Sequence, residues 1–193
     1  MVSLFDVSRI AETIELIPTK GGTMADERPV CCECGQAVDE TRIFEIDGVM
    51  FCAICLFGEV TPHEIFPIGT VENELQRPER GFGTTGPNRL SRIVLHPAQK
   101  RFMYKLEEEK YLTVVYYLHS ARSVTSIFRR GLDGKETGLF ATRTPDRLSK
   151  IGIQDVLLIK VEDTTLWVDG LDAVNGTPVL DIKLGRPIRG GHP

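Results

Sequence analysis

The sequence predicts a mainly β protein that carries a small metal-binding module near its N-terminus. From residue 93 to residue 182, short apolar or period-two runs follow one another between turn signals, a pattern typical of antiparallel strands. The runs predicted to be extended are 93–95, 111–119, 138–142, 151–161, 166–171 and 178–182. The alternation of strands with long helices and a glycine fingerprint, which doubly wound folds require, is lacking, and the runs agree with a barrel. Two Cys-x2-Cys pairs precede this region, and they predict a module that depends on a metal.

The two cysteine pairs have the spacing of a tetrahedral zinc site. Seventeen residues separate Cys31 and Cys34 from Cys52 and Cys55, which is within the range of four-thiolate zinc sites. Between the pairs, apolar runs flank Asp47-Gly48, a dipeptide that favours a type I′ hairpin turn. Such a hairpin would return the second pair to the first, so we expect a zinc ribbon or a treble clef. Four sulfur ligands leave zinc no open position, and the zinc should therefore be structural.

Disulfides and redox chemistry are the rival explanations for these cysteines. The chain has five cysteines, and an odd number in a chain without a recognisable secretory signal argues against disulfides. A redox site needs only one pair, whereas two pairs favour a metal. The fifth cysteine, Cys32, does not fit the two-residue spacing and is left out of the ligand set.

Composition indicates an ordinary globular protein. The chain has 193 residues, of which 41% are hydrophobic, and none of its apolar runs approaches the ~18 residues of a membrane span. The first residues lack the basic start and apolar core of a secretory signal, so a cytoplasmic location is expected. Val7, Ile10, Ile14 and Ile17 share one face of a helix predicted within residues 1–23. That segment is either a helix docked on its own domain, a partner or dimer helix, or a flexible extension.

Charge is unevenly distributed along the chain. The net charge is −9 over residues 1–85, +7 over residues 86–150 and −2 over residues 151–193. A basic middle region could face an anionic partner such as tRNA, because phosphate contacts dominate nucleic-acid affinity. The alternative is that these cations are scattered over a solvated surface.

A short strand near the C-terminus carries two charged groups. Asn175-Gly176 is a strong turn signal, and Val179, Leu180 and Ile182 then supply an apolar run. Asp181 and Lys183 alternate with that run and should project from the face opposite Leu180 and Ile182. On spacing alone, this is a solvated strand face with a weak pair of charges.

The amino-acid sequences of several segments point to a family more specifically than the spacing of their charged groups does. Ala141-Thr142-Arg143-Thr144-Pro145, Gly170-Leu171-Asp172 and the run from Asn175 to Lys183 resemble the TsaA-like family of S-adenosylmethionine-dependent methyltransferases, whose acceptor is N6-threonylcarbamoyladenosine in tRNA. The segment from Leu106 to His119 fits the same family, and Phe66 to Val71 looks like its opening strand. The resemblance covers about residues 66–187. It leaves residues 24–65 for the zinc module and residues 188–193 as a tail.

The chain departs from the family pattern at two places. After the threonine-arginine pair the family continues Arg-Pro-Asn-Pro-Ile-Gly, whereas here Arg147 and Ile151-Gly152 enclose Leu148-Ser149-Lys150. The Pro-Tyr that usually follows the terminal lysine is replaced by Leu184-Gly185. Cofactor binding is thus better supported than the identity of the methyl acceptor.

The resemblance implies a small antiparallel β-barrel that works as a homodimer and binds S-adenosylmethionine. The implied cofactor residues are Ser120, Ala121, Arg143, Ile153, Asp169, Gly170, Leu171 and Asp172. An acid in the turn from Asp169 to Asp172 would serve the ammonium or ribose hydroxyls of the cofactor. Asp181 is the candidate catalytic base or orienting acid, and Arg147, Lys150 and Lys183 are candidates to hold an anionic acceptor.

Three functions follow from these features. The first is methylation of threonylcarbamoyladenosine in tRNA by a cytoplasmic dimer. The second is methylation of a small metabolite or a protein, with the zinc module recognising a partner. The third is a non-catalytic module that binds the cofactor or a partner through a degenerate barrel.

Overall fold

The computed structural model describes residues 28–59, 61–76, 90–120, 123–130 and 133–186. The helix predicted within residues 1–23 and the tail 188–193 lie outside this part of the chain. Among the described residues, no helix has the length and apolar character needed to cross a bilayer.

The first folded body is the cysteine module. A 3-10 turn at Glu40–Arg42 leads into the hairpin of β1 (Ile43–Ile46) and β2 (Val49–Cys52), and α1 (Ala53–Phe57) follows at once. Asp47 and Gly48 have φ values of 51° and 77°, as the predicted type I′ turn requires. The second cysteine pair lies at the start of a helix, so the module has the treble-clef layout.

The second body is a closed antiparallel barrel. Its six strands are β3 (Gly69–Glu72), β4 (Leu90–Leu95), β5 (Tyr111–Tyr117), β8 (Ile151–Glu162), β9 (Thr165–Asp169) and β10 (Pro178–Leu184). They follow one another around the barrel in the order β10, β3, β4, β9, β8 and β5, and β5 pairs with β10 to close the sheet. Between β4 and β5 lie 3-10 helices at Pro97–Phe102 and Leu106–Glu108. The predicted mainly β barrel is confirmed.

Period-two sequences produce this barrel because alternate residues fill its interior. On β5, Leu112, Val114 and Tyr116 are buried while the residues between them are more exposed. These side chains join residues of all the other barrel strands in one core, which includes Val71, Ile93, Val156, Leu166, Val168 and Val179. Closure pairs both edges of the sheet, so none of the six strands presents a free row of backbone groups.

One long strand, β8, connects the two halves of the sheet. Its first half pairs with β5 and its second half with β9, with a register shift between Leu158 and Lys160. Near its start, Gly152 lies under the ring of Tyr116, where a Cβ would come within 2.4 Å of a ring carbon. A side chain at that position would have to displace the tyrosine ring, so glycine fits best there.

A crossover segment links β5 to β8 outside the barrel. It contains the hairpin of β6 (Ile127–Arg129) and β7 (Glu136–Gly138), followed by a 3-10 turn at Leu139–Ala141. The apolar run from Gly138 to Thr142 was expected to be extended, and this expectation is wrong beyond Gly138. The chain turns there, with Leu139 buried and Phe140 87% exposed.

Candidate cofactor site and metal centre

The four cysteines of the two Cys-x2-Cys pairs, which we call the knuckles, lie close together. The sulfurs of Cys31, Cys34, Cys52 and Cys55 all lie within 4.8 Å of one another. Cys31 Sγ is 3.8 Å from Cys55 Sγ, and Cys34 Sγ is 3.9 Å from Cys52 Sγ. Zinc–sulfur bonds of about 2.3 Å in a tetrahedron place sulfurs roughly 3.8 Å apart, so the donor set fits zinc.

The backbone around the knuckles supports a cluster of thiolates. The Cys52 N–H donates to Cys31 Sγ at 3.3 Å, and the Cys55 N–H donates to Cys52 Sγ at 3.4 Å at the start of α1. Hydrogen bonds from the backbone of Cys34 and Cys52 lower the pKa of the Cys31 thiol to about 6. A hydrogen bond between the Cys55 thiol and Cys52, followed by burial, raises the pKa of Cys55. Cys32 is exposed and stays outside the cluster.

In the barrel, the turn after β9 is held by a side chain of β8. The Gln154 amide accepts a hydrogen bond from the Asp172 N–H at 2.9 Å and donates to the carbonyl of Gly170. Leu171 is buried between these two contacts, whereas Asp172 is exposed. The clamp fixes the backbone of the turn from Asp169 to Asp172 and leaves the Asp172 carboxylate at the surface.

Tyr116 lies close to the same turn. Its side chain is 7% exposed, and burial, together with the nearby charge of Asp172, raises the pKa of its phenol to about 12. Tyr116 therefore stays neutral at physiological pH.

The loop that contains Arg143 lies between the crossover and β8. The Arg147 guanidinium donates to the carbonyls of Thr142 and Thr144, the latter at 3.2 Å. Arg147 thus closes the loop on itself, while Arg143 remains exposed. The carbonyl of Lys150 accepts a hydrogen bond from Leu118 N–H at 2.7 Å, which fixes the end of the loop beside the end of β5.

The remaining predicted residues lie on the outer face of the sheet. Asp181 and Ile153 both pair with Val115, from the two sides of β5. The Asp181 carboxylate accepts hydrogen bonds from Lys183 Nζ at 2.5 Å and from Ile182 N–H at 2.8 Å. Ile153 is 60% exposed. A register shift between Val179 and Asp181 makes Leu180 a bulge, so the alternation predicted around Asp181 holds only from Asp181 onward.

A cavity of about 300 Å³ lies between the loop and this outer face. Ser149 of the loop lines it together with residues of β5, β8 and β10, namely Tyr117, Ile151, Pro178 and Leu180. His63, Ile65 and Pro67, from the segment that joins the cysteine module to the barrel, form another wall.

The structure thus places the predicted cofactor residues in separate groups, on both sides of β8. Ser120 follows the end of β5, beside the loop that carries Arg143, and Ala121 lies outside the described residues. Ile153 and Gln154 are successive residues of β8 and point to opposite faces. Ile153 is therefore on the outer face with Asp181, whereas the turn from Asp169 to Asp172 is on the other side, held by Gln154.

Comparison with known proteins identifies this barrel. The family described as the tRNA-methyltransferase O N-terminal domain matches residues 73–184. This stretch is more than half of the chain and contains five of the six barrel strands. The chain belongs to this family.

Relatives and solved structures agree with the tRNA-methyltransferase O family. An S-adenosyl-L-methionine-binding protein of Archaeoglobus fulgidus is 31% identical over 126 residues, which are 63% of this chain and 88% of that protein. A human tRNA (adenine(37)-N6)-methyltransferase is 48% identical over 52 residues, or 27% of this chain. The crystal structure of TrmO from Pseudomonas aeruginosa has a TM-score of 0.53 and 28% identity over 69% of this chain. The chain spans only 12% of the human protein and 60% of the Pseudomonas chain.

Several residues of the candidate site escaped sequence reasoning. The sequence does not point to Gln154 or Tyr116, nor to His63 and Ile65 of the cavity wall, which precede the family match that begins at residue 73. An amide next to Ile153 gives no sequence signal of its own. The close contact between Tyr116 and Gly152 depends on the pairing of β5 with β8, and the sequence alone does not show which residues of two strands pair.

The basic middle region is partly neutralised in the fold. Arg92 pairs with Glu72 at 2.7 Å and Lys105 with Glu108 at 3.2 Å. Lys100 and Arg130 also form ion pairs, with Asp163 and Asp133. Glu108 and Asp133 belong to residues 86–150 and are already included in the net charge of +7, whereas Glu72 and Asp163 come from outside that region and reduce its positive potential.

Proposed function

We propose that this chain is an S-adenosylmethionine-dependent methyltransferase that modifies tRNA, with N6-threonylcarbamoyladenosine as the preferred acceptor. The observation that carries the proposal is the match of the tRNA-methyltransferase O family to the barrel itself, from residue 73 to residue 184. The names of the Archaeoglobus and human relatives support cofactor binding and a tRNA acceptor. A tRNA substrate also goes with a cytoplasmic location.

The candidate cofactor residues, which lie on both sides of β8, fit the cofactor in chemical kind. When bound, the cofactor supplies a methyl group on a positively charged sulfur. Asp169 and Asp172 offer carboxylates for an ammonium group or ribose hydroxyls, and exposed Arg143 offers a cation for a carboxylate. Exposed Ile153 offers apolar surface to an adenine ring. Ser120 and Ala121 complete the set, and Gly170 and Leu171 hold the turn.

The acceptor side is formed by charged groups of β10 and the loop. Asp181, oriented by Lys183, would accept or orient the proton that leaves the acceptor nitrogen. Lys150 and Lys183 would hold an anionic acceptor. Arg147 would contribute mainly by holding the loop, because its guanidinium already binds two carbonyls.

Neutralised cations favour a second candidate, an acceptor other than tRNA. Since Arg92, Lys100, Lys105 and Arg130 are ion-paired, a small metabolite or a protein is the alternative substrate. A non-catalytic module that binds the cofactor is the further alternative.

Two measurements test these functions. Calorimetry with S-adenosylhomocysteine tests the cofactor, and the absence of binding at millimolar concentration would overturn the methyltransferase proposal. Mass spectrometry of nucleosides from tRNA incubated with enzyme and S-adenosylmethionine tests the acceptor. We expect methylated threonylcarbamoyladenosine; unmodified nucleosides with intact cofactor binding would instead favour the metabolite or protein acceptor.

The cysteine cluster supports one structural zinc per chain. Its sulfur–sulfur separations suit a tetrahedral ion, and zinc would stabilise a module whose two strands and short helix form little core of their own. Elemental analysis should give one zinc per chain, and Cys52→Ser should lose it. Full metal content in Cys52→Ser would contradict the assignment.

The outer face of β5 and β8 supports a homodimer. Tyr117 and Ile151 are exposed there by 37% and 36%, and family resemblance points to a second copy as their partner. Light scattering should give twice the mass of one chain, and Ile151→Asp should reduce it to that of one chain. A wild-type monomer would overturn the proposal.

A further inference from the structure

The cysteine module is joined to the crossover segment at one compact contact. Val124 forms a parallel bridge with Ile46. The Val124 N–H donates to the Glu45 carbonyl at 3.1 Å, and the Asp47 N–H donates to the Val124 carbonyl at 2.9 Å. The Asp47 carboxylate accepts from the Ser126 N–H at 2.9 Å and from the Ser126 hydroxyl. The backbone and the Asp47 side chain of the hairpin turn therefore both bind residues 124–126 of the crossover segment.

The contact continues through the crossover to the candidate cofactor loop. The Ser126 carbonyl accepts a hydrogen bond from Leu139 N–H at 2.9 Å, and the Leu139 carbonyl accepts from Thr142 N–H at 3.2 Å. The Thr142 carbonyl in turn binds the Arg147 guanidinium. A continuous series of hydrogen bonds thus runs from Asp47 to the loop that carries Arg143.

Burial shows that this contact is packed as well as hydrogen-bonded. Val124 and Leu139 are each 8% exposed, although neither belongs to the barrel core. Hydrogen bonds from Ser126 also lower the pKa of the Asp47 carboxyl, so the carboxylate is the form that the contact stabilises.

We propose that the metal module is a brace for the loop of residues 142–150, with Asp47 and Ser126 as positioning residues that couple metal binding to cofactor binding. The coupling to the cofactor rests on the proposed function, whereas the brace itself does not. Because coupling free energies are reciprocal, a filled metal site should tighten cofactor binding and a bound cofactor should retain the metal.

Hydrogen exchange of the full-length chain tests the brace directly. After chelation of the metal, backbone amides of residues 123–130 and 133–150, which include the loop, should exchange about tenfold faster, while those of β5 and the first half of β8 should keep their protection. Unchanged exchange in these residues, or equal acceleration of the barrel strands, would overturn the brace.

Asp47→Gly separates the contact from metal binding. Glycine adopts the positive φ of residue 47 without strain, so the hairpin turn and the zinc content should be retained. Amides of residues 123–130 and 133–150 should exchange about fivefold faster, and the Kd for S-adenosylhomocysteine should rise about threefold to tenfold. Ser126→Ala removes only the hydroxyl bond to Asp47 and keeps the backbone N–H bond, so its effect should be smaller. The double variant should match Asp47→Gly, because loss of the Asp47 carboxylate already removes both bonds.

Glu45→Ala is the matched control, since it removes a carboxylate from the same hairpin but keeps the backbone carbonyl that binds Val124. It should leave exchange and affinity unchanged. Wild-type exchange in Asp47→Gly would overturn the proposal. If the wild-type chain binds no cofactor, the proposed function fails, and the exchange measurements still decide whether the module braces the crossover.

Discussion

At the residue scale, Gly152 shows how closely the barrel is packed. An added Cβ would lie 2.4 Å from Tyr116 Cε2, and the tyrosine ring is itself buried. Gly152→Ala should therefore lower the free energy of unfolding by roughly 1 to 3 kcal/mol, as overpacking of a core does. Chemical denaturation with urea measures this.

Gly138→Ala is the control for that change. At Gly138 the nearest atom to an added Cβ is the Ser126 carbonyl oxygen at 3.9 Å, an ordinary contact. The variant should stay within about 0.5 kcal/mol of wild type. Equal stability of the two alanine variants would show that Tyr116 can move aside.

Tyr116 should make stability depend on alkaline pH. Its pKa is raised to about 12, first by burial and then by the charge of Asp172, whereas in the unfolded chain it titrates near 10. A raised pKa in the folded state means that stability is complete below pH ~10 and declines as the pH rises toward 12. Unfolding free energies at several pH values should show this decline for wild type and a smaller one for Tyr116→Phe. Parallel curves for the two proteins would contradict the interpretation.

At the scale of elements, the clamp between β8 and the following turn should govern cofactor affinity. Gln154→Ala removes both hydrogen bonds that fix Gly170 and Asp172, so the carboxylate of Asp172 loses its defined position. The Kd for S-adenosylhomocysteine should rise about tenfold, or ~1.4 kcal/mol, measured by calorimetry. Gln99→Ala changes a half-buried glutamine of the 3-10 helix at Pro97–Phe102 and should leave affinity unchanged. Equal affinities of the two variants would refute the clamp.

The elements themselves were largely predictable from the sequence, whereas their contacts were not. Cysteine spacing and Asp47-Gly48 are local signals, and they gave the knuckles and the hairpin correctly. Period-two runs gave β5, β8 and β10 to within a few residues. The apolar run after Gly138 led to a wrong prediction of a strand. A turn that buries Leu139 contains the same kinds of residue as a short strand, so composition does not distinguish the two.

Contacts between distant segments were the part that sequence could not supply. Ser126 and Asp47 are 79 positions apart, and Gln154 is 18 from Asp172. The bulge at Leu180 depends on two neighbouring strands at once. Such contacts depend on register and closure, which a single sequence does not encode in any local pattern.

At the scale of the whole molecule, the module and the barrel should lose their structure separately. The barrel core draws its members from residues 71 to 179 and none from the cysteine module. Chelation of the metal should therefore unfold the module and leave the barrel intact. The single tryptophan, Trp167, lies on β9, so its fluorescence should be unchanged by chelation and should respond only to denaturant. A fluorescence change on chelation alone would mean that the barrel needs the metal.

Closure of the barrel also sets an order of events on the ribosome. β10 lies between β3 and β5 and pairs with both, yet it is the last of the six strands to be synthesised. Until residues 178–184 emerge, the nascent chain has two strands with unpaired edges, which are the surfaces through which chains aggregate. The cysteine module, complete by residue 59, can fold long before that point. If synthesis stalls after the cysteine module but before β10, the nascent chain would carry a folded metal site attached to an open sheet that is prone to aggregate.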